Sequence, residues 1–318
     1  MSGLRVLVTG ATTALGRALC QELYQDVQRV DHVFAVASDE TLPYYFRDFH
    51  HDRFTYWSAN LLKERHLKGL FLAERFRKRA ITQVVHCGFL RMVKAQGLPP
   101  SEAVQATRRL LRFCSEAKVE HLVFLSGCLV YRLRPWTSAV IDEEGELDFD
   151  PDSDPWVKAR VDADTICQTY MDKELPKITV LRPGPILGRN VSSHLGDLLE
   201  SYLVLRQAGY DPMVRPIHSS DVRRAIHRAL DARAHGVFNV AGPDVAPLSE
   251  FCRLNGRPSL PLPPPALRWV NRVQRVLRMT SCDLSTTPRW LKYPCVLDTT
   301  RIERSIGFEA AHHIKFGE

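Results

Sequence analysis

Short apolar runs rich in β-branched residues alternate along the first half of the chain with longer stretches in which apolar residues recur every three or four positions. "LRVLVTG" (4–10) reads as a buried strand, and "ALGRALCQELYQ" (14–25) as a helix with Leu15, Leu19 and Leu23 on one face. "HVFAVAS", "FTYWSA" and "ITQVVHCG" read as the second, third and fourth strands. A helix from Ser101 to Ala117 carries Val104, Thr107, Leu111 and Cys114 as a stripe, and "HLVFLSG" follows as a fifth strand. After an acidic loop, "PWVKARVDADTICQTYM" is helical and "KITVLRPG" is a sixth strand. Strands alternating with helices imply an α/β chain whose parallel sheet is covered on both faces.

The second half is less regular. "DVRRAIHRAL" places Val222, Ala225, Ile226, Ala229 and Leu230 at helical spacing, and "GVFNVAG" reads as a strand. "RPSLPLPPPALRW" is proline-rich and is expected to be extended or looped. No internal repeat is seen. The 318 residues allow one large domain or two modest ones. Hydrophobic content of 45% and charged content of 25% exclude a disordered or fibrous chain. The formal charge of +7 mildly favours anionic ligands or surfaces. Eight cysteines are scattered without a CxxC pair or a close Cys/His cluster, so they read as free thiols, with no metal site. The N-terminus lacks the regions of a signal peptide, and no apolar run is long enough for a membrane-spanning helix. The expected location is cytoplasmic.

"VTGATTALGRAL" follows the first strand and opens a helix, the context of a phosphate-binding turn. Gly10 permits the tight turn and Gly16 lets the helix pack on the sheet. The N–H groups near Ala14 and Leu15 would face a pyrophosphate. Thr13 stands where backbone and pyrophosphate come closest; its Cβ would crowd the phosphate, while its hydroxyl could donate to it. The turn resembles the TGxxGxxG motif of the extended short-chain dehydrogenase/reductase family, the NAD-dependent epimerases and dehydratases. Further resemblances follow in the family's order. "SANLLK" is similar to its Asp-Leu turn near the adenine, with Asn60 for the aspartate beside Leu61. "VVHCGF", with Cys87 and Gly88, is similar to the strand beneath the cofactor. "VEHLVFLSGCLVY" resembles the strand carrying the catalytic hydroxyl, and "VLRPGPILG", with Pro183, the segment on the nicotinamide side. "PIHSSDVRRAI", "GVFNVAGPDVAPLSEF" and "LDTTRIERSIGFEA" resemble its later segments. The resemblance covers nearly the whole chain. It implies a Rossmann-type doubly wound parallel sheet with a smaller C-terminal lobe that caps the substrate. The expected dinucleotide domain is 1–183, with 214–244 returning to it; the capping lobe is 184–213 and 245–318. The implied cofactor is NAD or NADP. Asp39, just past the second strand, could hold a ribose 2′-hydroxyl and favours NAD; no arginine for a 2′-phosphate ends that strand.

The family's chemistry needs a tyrosine, a lysine that lowers its pKa, and a serine or threonine. The positions that resemble these hold Trp156, Arg160 and Gly127. Ser126 is one residue early and faces the other side of a strand. Indole does not titrate usefully, and arginine contacts a ribose with a different geometry from lysine. Trp156 is read as filling the space that a bound substrate or the tyrosine would occupy, with stacking on a ligand as the second reading and a different mechanism as the third. A substitute acid could come from Asp154, or from Asp142, Glu143 and Glu144 in "IDEEGELDFDPDSD", otherwise a solvated loop. Cys87 and Cys128 are read as small core residues, and His218 as packed at a sheet edge. The favoured expectation is a dinucleotide-binding protein without the standard chemistry, a sensor, scaffold or partner subunit. The alternative is an epimerase, dehydratase or reductase acting on a nucleotide-sugar or a lipid-like alcohol or ketone.

"LRWVNRVQRVLRM" (267–279) has Arg268, Arg272, Arg275 and Arg278 at three- and four-residue steps, with Trp269, Val270, Val273, Val276 and Leu277 between them. A basic amphipathic helix of this kind can lie on an anionic membrane. The favoured expectation is that its apolar face packs into the capping lobe. The expected partner is a small molecule; a homodimer is allowed, and nucleic acid is disfavoured because no aromatic-interleaved basic stripe accompanies the helix.

Overall fold

The computed structural model describes residues 3–89, 99–284 and 288–315. The chain divides into two compact units. The first comprises Met1–Ser126, Ala159–Leu181 and Ile226–Val237; the second comprises Gly127–Lys158, Arg182–Ala225 and Phe238–Glu318.

The strands are β1 (Leu4–Thr9), β2 (Val30–Ala37), β3 (Phe54–Ser58), β4 (Gln83–His86), β5 (His121–Leu125), β6 (Val140–Ile141) and β7 (Lys177–Pro183). Five short ones follow: β8 (Ile186–Leu187), β9 (Val204–Gln207), β10 (Met213–Val214), β11 (Ile217–His218) and β12 (Gly236–Val240). The last three are β13 (Ala246–Pro247), β14 (Ser259–Leu262) and β15 (Val296–Leu297). Seven of them form one sheet in the order β12-β7-β5-β4-β1-β2-β3. The pairs β1–β2, β2–β3, β1–β4, β4–β5 and β5–β7 are all parallel. The order reverses between β1 and β4, so this is the doubly wound sheet expected, with its switch point at the first strand.

Alternation assigns the faces. Leu7, Phe34, Val84, Leu122 and Phe124 pack in one cluster with residues of helices Glu64–Leu72, Ser101–Glu116 and Pro155–Thr169. Helix α1 (Ala14–Gln25) buries Leu15, Leu19 and Leu23, the predicted stripe, and packs against β1 and β2. Helix Ser219–Ala232 buries all five of its predicted apolar residues.

Three histidines within the sheet, His32, His86 and His121, are buried and held neutral by that burial. Thr107 spends its hydroxyl proton on the Ala103 carbonyl, 3.0 Å away. It can therefore only accept from His86 Nε2, at 3.3 Å, which leaves His86 Nδ1 to accept from the Thr9 hydroxyl at 2.6 Å. His121 Nε2 lies 2.8 Å from Thr179 Oγ1 and 3.0 Å from the Ala234 carbonyl. Burial pushes His86 down to about 3 and His121 down to about 4.

Within the second unit, β6 pairs with β15, β8 with β11, β9 with β14 and β10 with β13. Gly127–Lys158, expected in the dinucleotide domain, packs with this unit because its polar groups find their partners there. Arg182 is almost wholly buried and donates to Tyr131 Oη and the Glu143 carbonyl, both at 3.1 Å. The Tyr131 hydroxyl donates to Asn239 Oδ1 at 2.6 Å, and Asn239 N–H donates to Glu143 Oε1 at 2.8 Å. The acidic run is thus not a solvated loop throughout: Glu143 and Asp148 are buried, and Arg289 pairs with Asp148 at 3.1 Å.

Two expectations for 257–279 hold in part. The proline run is extended at first, as expected, in strand β14, but it does not stay so: Pro264 begins the helix Pro264–Val276, where its missing N–H costs nothing. That helix packs Leu267 and Val270 on the core of this unit, as expected, and turns Asn271 and Gln274 inward as well, while Trp269, Val273, Val276 and Leu277 are exposed. The polar positions are inside because they find partners. Asn271 donates to the Cys282 carbonyl at 3.0 Å and accepts from Leu284 N–H at 2.9 Å; Gln274 donates to the Leu203 carbonyl at 2.9 Å.

Two measurements follow. Tyr131→Phe leaves the buried Asn239 Oδ1 without its donor and should lower unfolding stability by about 1–3 kcal/mol, read by urea denaturation; an unchanged midpoint would show that the bond contributes nothing. His86 and His121 have folded pKa values below their ordinary 6.5. As pH falls the unfolded chain takes up protons first, so their contribution is complete above 6.5 and is lost as pH drops towards 3 to 4. The melting temperature should fall across that window, and less steeply in His86→Gln; equal slopes would refute the role of His86.

Candidate functional site

The first unit builds a cradle at the C-terminal end of β1. Gly10 has φ +71, and a Cβ there would stand 2.5 Å from Gly88 Cα and 2.7 Å from Gly88 N. A Cβ on Gly88 would meet Gly10 Cα at 3.2 Å, and one on Gly16 would meet the Gly10 carbonyl oxygen at 2.2 Å. These three glycines let β1, β4 and α1 converge at the switch point. Side chains on them would fill the cradle.

Thr13 caps α1. Its hydroxyl donates to the Gly10 carbonyl at 2.8 Å and accepts from Gly16 N–H at 3.1 Å. The proton foreseen for a phosphate is therefore spent within the turn. Ala14 and Leu15 begin the helix, and the first N–H groups of a helix have no intrahelical acceptor. Among the described residues no other acceptor is recorded for them. They present paired donors and the positive end of the helix to an anion.

Asp39 lies just beyond β2 and accepts from the Thr12 hydroxyl through Oδ2 at 2.7 Å. Its carbonyl accepts from the Tyr56 hydroxyl at 2.7 Å. Thr12 and Tyr56 fix the position of this carboxylate, and nothing in the sequence pattern singled them out. Asn60 closes a turn by accepting from Leu62 N–H at 3.0 Å, and Leu61 is buried. Cys87 is buried, which pushes its thiol up to about 12 and makes it inert at neutral pH.

The residues at the triad positions are placed separately. Ser126 shares strand parity with Leu122 and Phe124. Its hydroxyl points under helix Pro155–Thr169 and donates to the buried Asp164 at 2.5 Å. Asp164 also accepts from Gln168 at 2.7 Å. Gly127 has opposite parity and extended backbone, φ 170 and ψ 165, which a serine would also adopt. Trp156, in the first turn of the helix, is 41% exposed. Arg160 is half-buried four residues later on the same helix face. Pro183 ends β7.

The acids considered as substitutes have structural partners. Asp154 Oδ1 accepts from Trp156 N–H at 2.8 Å, an N-cap contact. Asp142 accepts from Glu144 N–H at 3.1 Å. Arg301 pairs with Glu143 at 3.3 Å and Glu144 at 2.7 Å. His218 is half-buried in β11 and stacks on His312, with centroids 5.4 Å apart. Cys128 is buried like the other seven cysteines, and all eight are thiols outside any disulfide. No helix among the described residues is long and apolar enough to cross a membrane.

Comparisons with known proteins agree with this architecture. An uncharacterised protein of Mycobacterium tuberculosis is 25% identical over 312 residues, which cover 96% of this chain and 79% of that one. The solved dTDP-glucose 4,6-dehydratase of Bacillus anthracis in complex with NAD superposes with a TM-score of 0.69 at 16% identity, covering 99% of this chain and 94% of the other. The UDP-glucuronic acid 4-epimerase of Bacillus cereus, in complex with UDP-glucuronic acid and NAD, gives 0.68 at 16% identity, covering 98% and 95%. The model of the NAD dependent epimerase/dehydratase family matches residues 6–241, and the chain belongs to that family.

Proposed function

We propose that the β1 turn binds a nicotinamide dinucleotide, NAD in preference to NADP, and that the protein holds its ligand without the family's tyrosine-driven proton chemistry, as a sensor, scaffold or partner subunit. The observation that carries the binding is the Gly10–Gly88 approach beneath the first N–H groups of α1. The residues fit the group. Ala14 and Leu15 would hold the pyrophosphate, with Gly16 behind them and Thr13 beside them. Asp39 would accept from a ribose 2′-hydroxyl, and its charge would repel a 2′-phosphate. Asn60 and Leu61 would border the adenine, Cys87 and Gly88 would line the floor, and Arg160 and Pro183 would lie towards the nicotinamide. When bound, the nicotinamide supplies a hydride acceptor or donor.

The loss of ordinary turnover is supported by the side chains present. Gly127 offers no hydroxyl, Ser126 is committed to Asp164, and the indole of Trp156 cannot exchange a proton near neutral pH. Its exposure favours stacking on a flat ring. A second reading, an epimerase, dehydratase or reductase acting on a nucleotide-sugar or a lipid-like alcohol or ketone, is supported by family membership and by the nucleotide-sugar bound in the Bacillus cereus neighbour. It requires an acid, and Asp154 is the candidate beside Trp156.

Two experiments test the proposal. Calorimetry should detect NAD binding, tightened about fivefold in Thr13→Gly, which removes the crowding Cβ and frees Gly16 N–H; this corresponds to about 1 kcal/mol. Absence of binding by either form at millimolar NAD would refute the cofactor claim. Nicotinamide absorbance with nucleotide-sugars, hydroxysteroids and ketones should show turnover below about 1 s⁻¹. The combined Gly127→Ser, Trp156→Tyr and Arg160→Lys change should raise it, while Trp156→Tyr alone should recover little, because such groups act as a unit. Faster turnover by the native protein that is abolished in Asp154→Asn would establish the second reading.

A further inference from the structure

We infer that helix Pro264–Val276 is a docking surface for an anionic lipid bilayer. The helix packs Leu267 and Val270 on the core yet leaves a second apolar arc outside. With about 100° of rotation per residue, Trp269, Val273, Val276 and Leu277 fall within one arc of about 100°. They are exposed by 69%, 39%, 77% and 61%. Leu267, Asn271 and Gln274 fill the opposite arc and are buried. The amide hydrogen bonds of Asn271 and Gln274 hold the helix in this rotation, so the apolar arc cannot turn inward without stranding them.

The charges select the occupant. Arg268, Arg272 and Arg275 run along one edge of the apolar arc, and Arg278 follows the helix. Arg275 pairs with Asp283 at 2.6 Å; among the described residues no ion pair is recorded for Arg268, Arg272 or Arg278. From Ser259 to Cys282 the chain contains no acidic residue. A second copy seated antiparallel on this face by a two-fold axis would bring the two arginine rows together, and like charges oppose that. A bilayer carrying anionic headgroups satisfies both parts of the surface. The arginines meet phosphates at the headgroup level while Trp269, Val273, Val276 and Leu277 enter the acyl boundary. Tyr202, 64% exposed, extends the aromatic content beside the helix end, where its N–H donates to the Met279 carbonyl at 3.1 Å. A helix of 13 residues lies along about 20 Å of membrane surface. The contact is peripheral.

The test is flotation of the full chain with phosphatidylcholine vesicles, with and without phosphatidylserine, at low and high salt. Co-flotation is expected only with phosphatidylserine, weakened by salt. Arg268→Glu/Arg272→Glu and, separately, Trp269→Ser/Val276→Ser should each reduce it by about tenfold or more. These side chains are exposed, and unchanged melting temperatures would show that the variants fold. No flotation of the native chain, or flotation unaffected in both variants, would overturn the inference. So would concentration-dependent self-association by light scattering, or capture of an acidic protein, that is abolished in the variants when vesicle binding is absent.

Discussion

A methyl group on Gly10 would stand 2.5 Å from the Cα of Gly88, nearer than two such atoms can come. The end of β1 and the end of β4 therefore approach backbone to backbone. This separation occurs where the strand order of the sheet reverses. It fixes where α1 starts, because Gly16 must in turn clear the Gly10 carbonyl. It also fixes which way the first N–H groups of the helix face. Thr13 adapts to this geometry: its hydroxyl closes the turn and caps the helix with the same two contacts. The cradle keeps its shape although the middle glycine of the motif is gone.

Polar burial organises the rest. In the sheet, hydroxyl protons are apportioned so that His86 can remain neutral, one nitrogen donating and the other accepting. In the second unit, the buried Arg182 guanidinium is supplied with acceptors, among them the Tyr131 hydroxyl and the Glu143 carbonyl. Each group is costly to bury alone and tolerable only when its partners are complete. The acidic run shows the same rule. Glu143 and Asp148 are anchors whose partners, Asn239, Arg289 and Arg301, are distant in sequence.

Periodicity read the sheet and its helices well, because a strand buried on both faces is written as an uninterrupted apolar run and α1 as a stripe of leucines. The phosphate-binding turn was legible for a similar reason: glycine spacing reports backbone contact directly. The parity of Ser126 and Gly127 was also legible, and Ser126 faces the helix as alternation requires. What depended on a remote partner was not. Thr12 with Asp39, and Ser126 with Asp164, are pairs 27 and 38 residues apart, and neither shows in a local pattern. Helix 264–276 is legible only in part: Leu267 and Val270 do pack on the interior, but Asn271 and Gln274 share that face through hydrogen bonds to remote carbonyls that no local pattern shows.

The division of the chain into interleaved segments has a consequence for synthesis. The first unit takes residues from three stretches, the last of them Ile226–Val237, and its sheet is bordered by β12. A ribosome emitting this chain from its N-terminus would expose β1 to β5 long before β7 and β12 exist. During that interval β5 presents an open apolar edge, the kind of surface on which nascent chains aggregate. Completion of the sheet must await β12, about 110 residues after the end of β5, and shielding of that edge during this interval would favour correct folding.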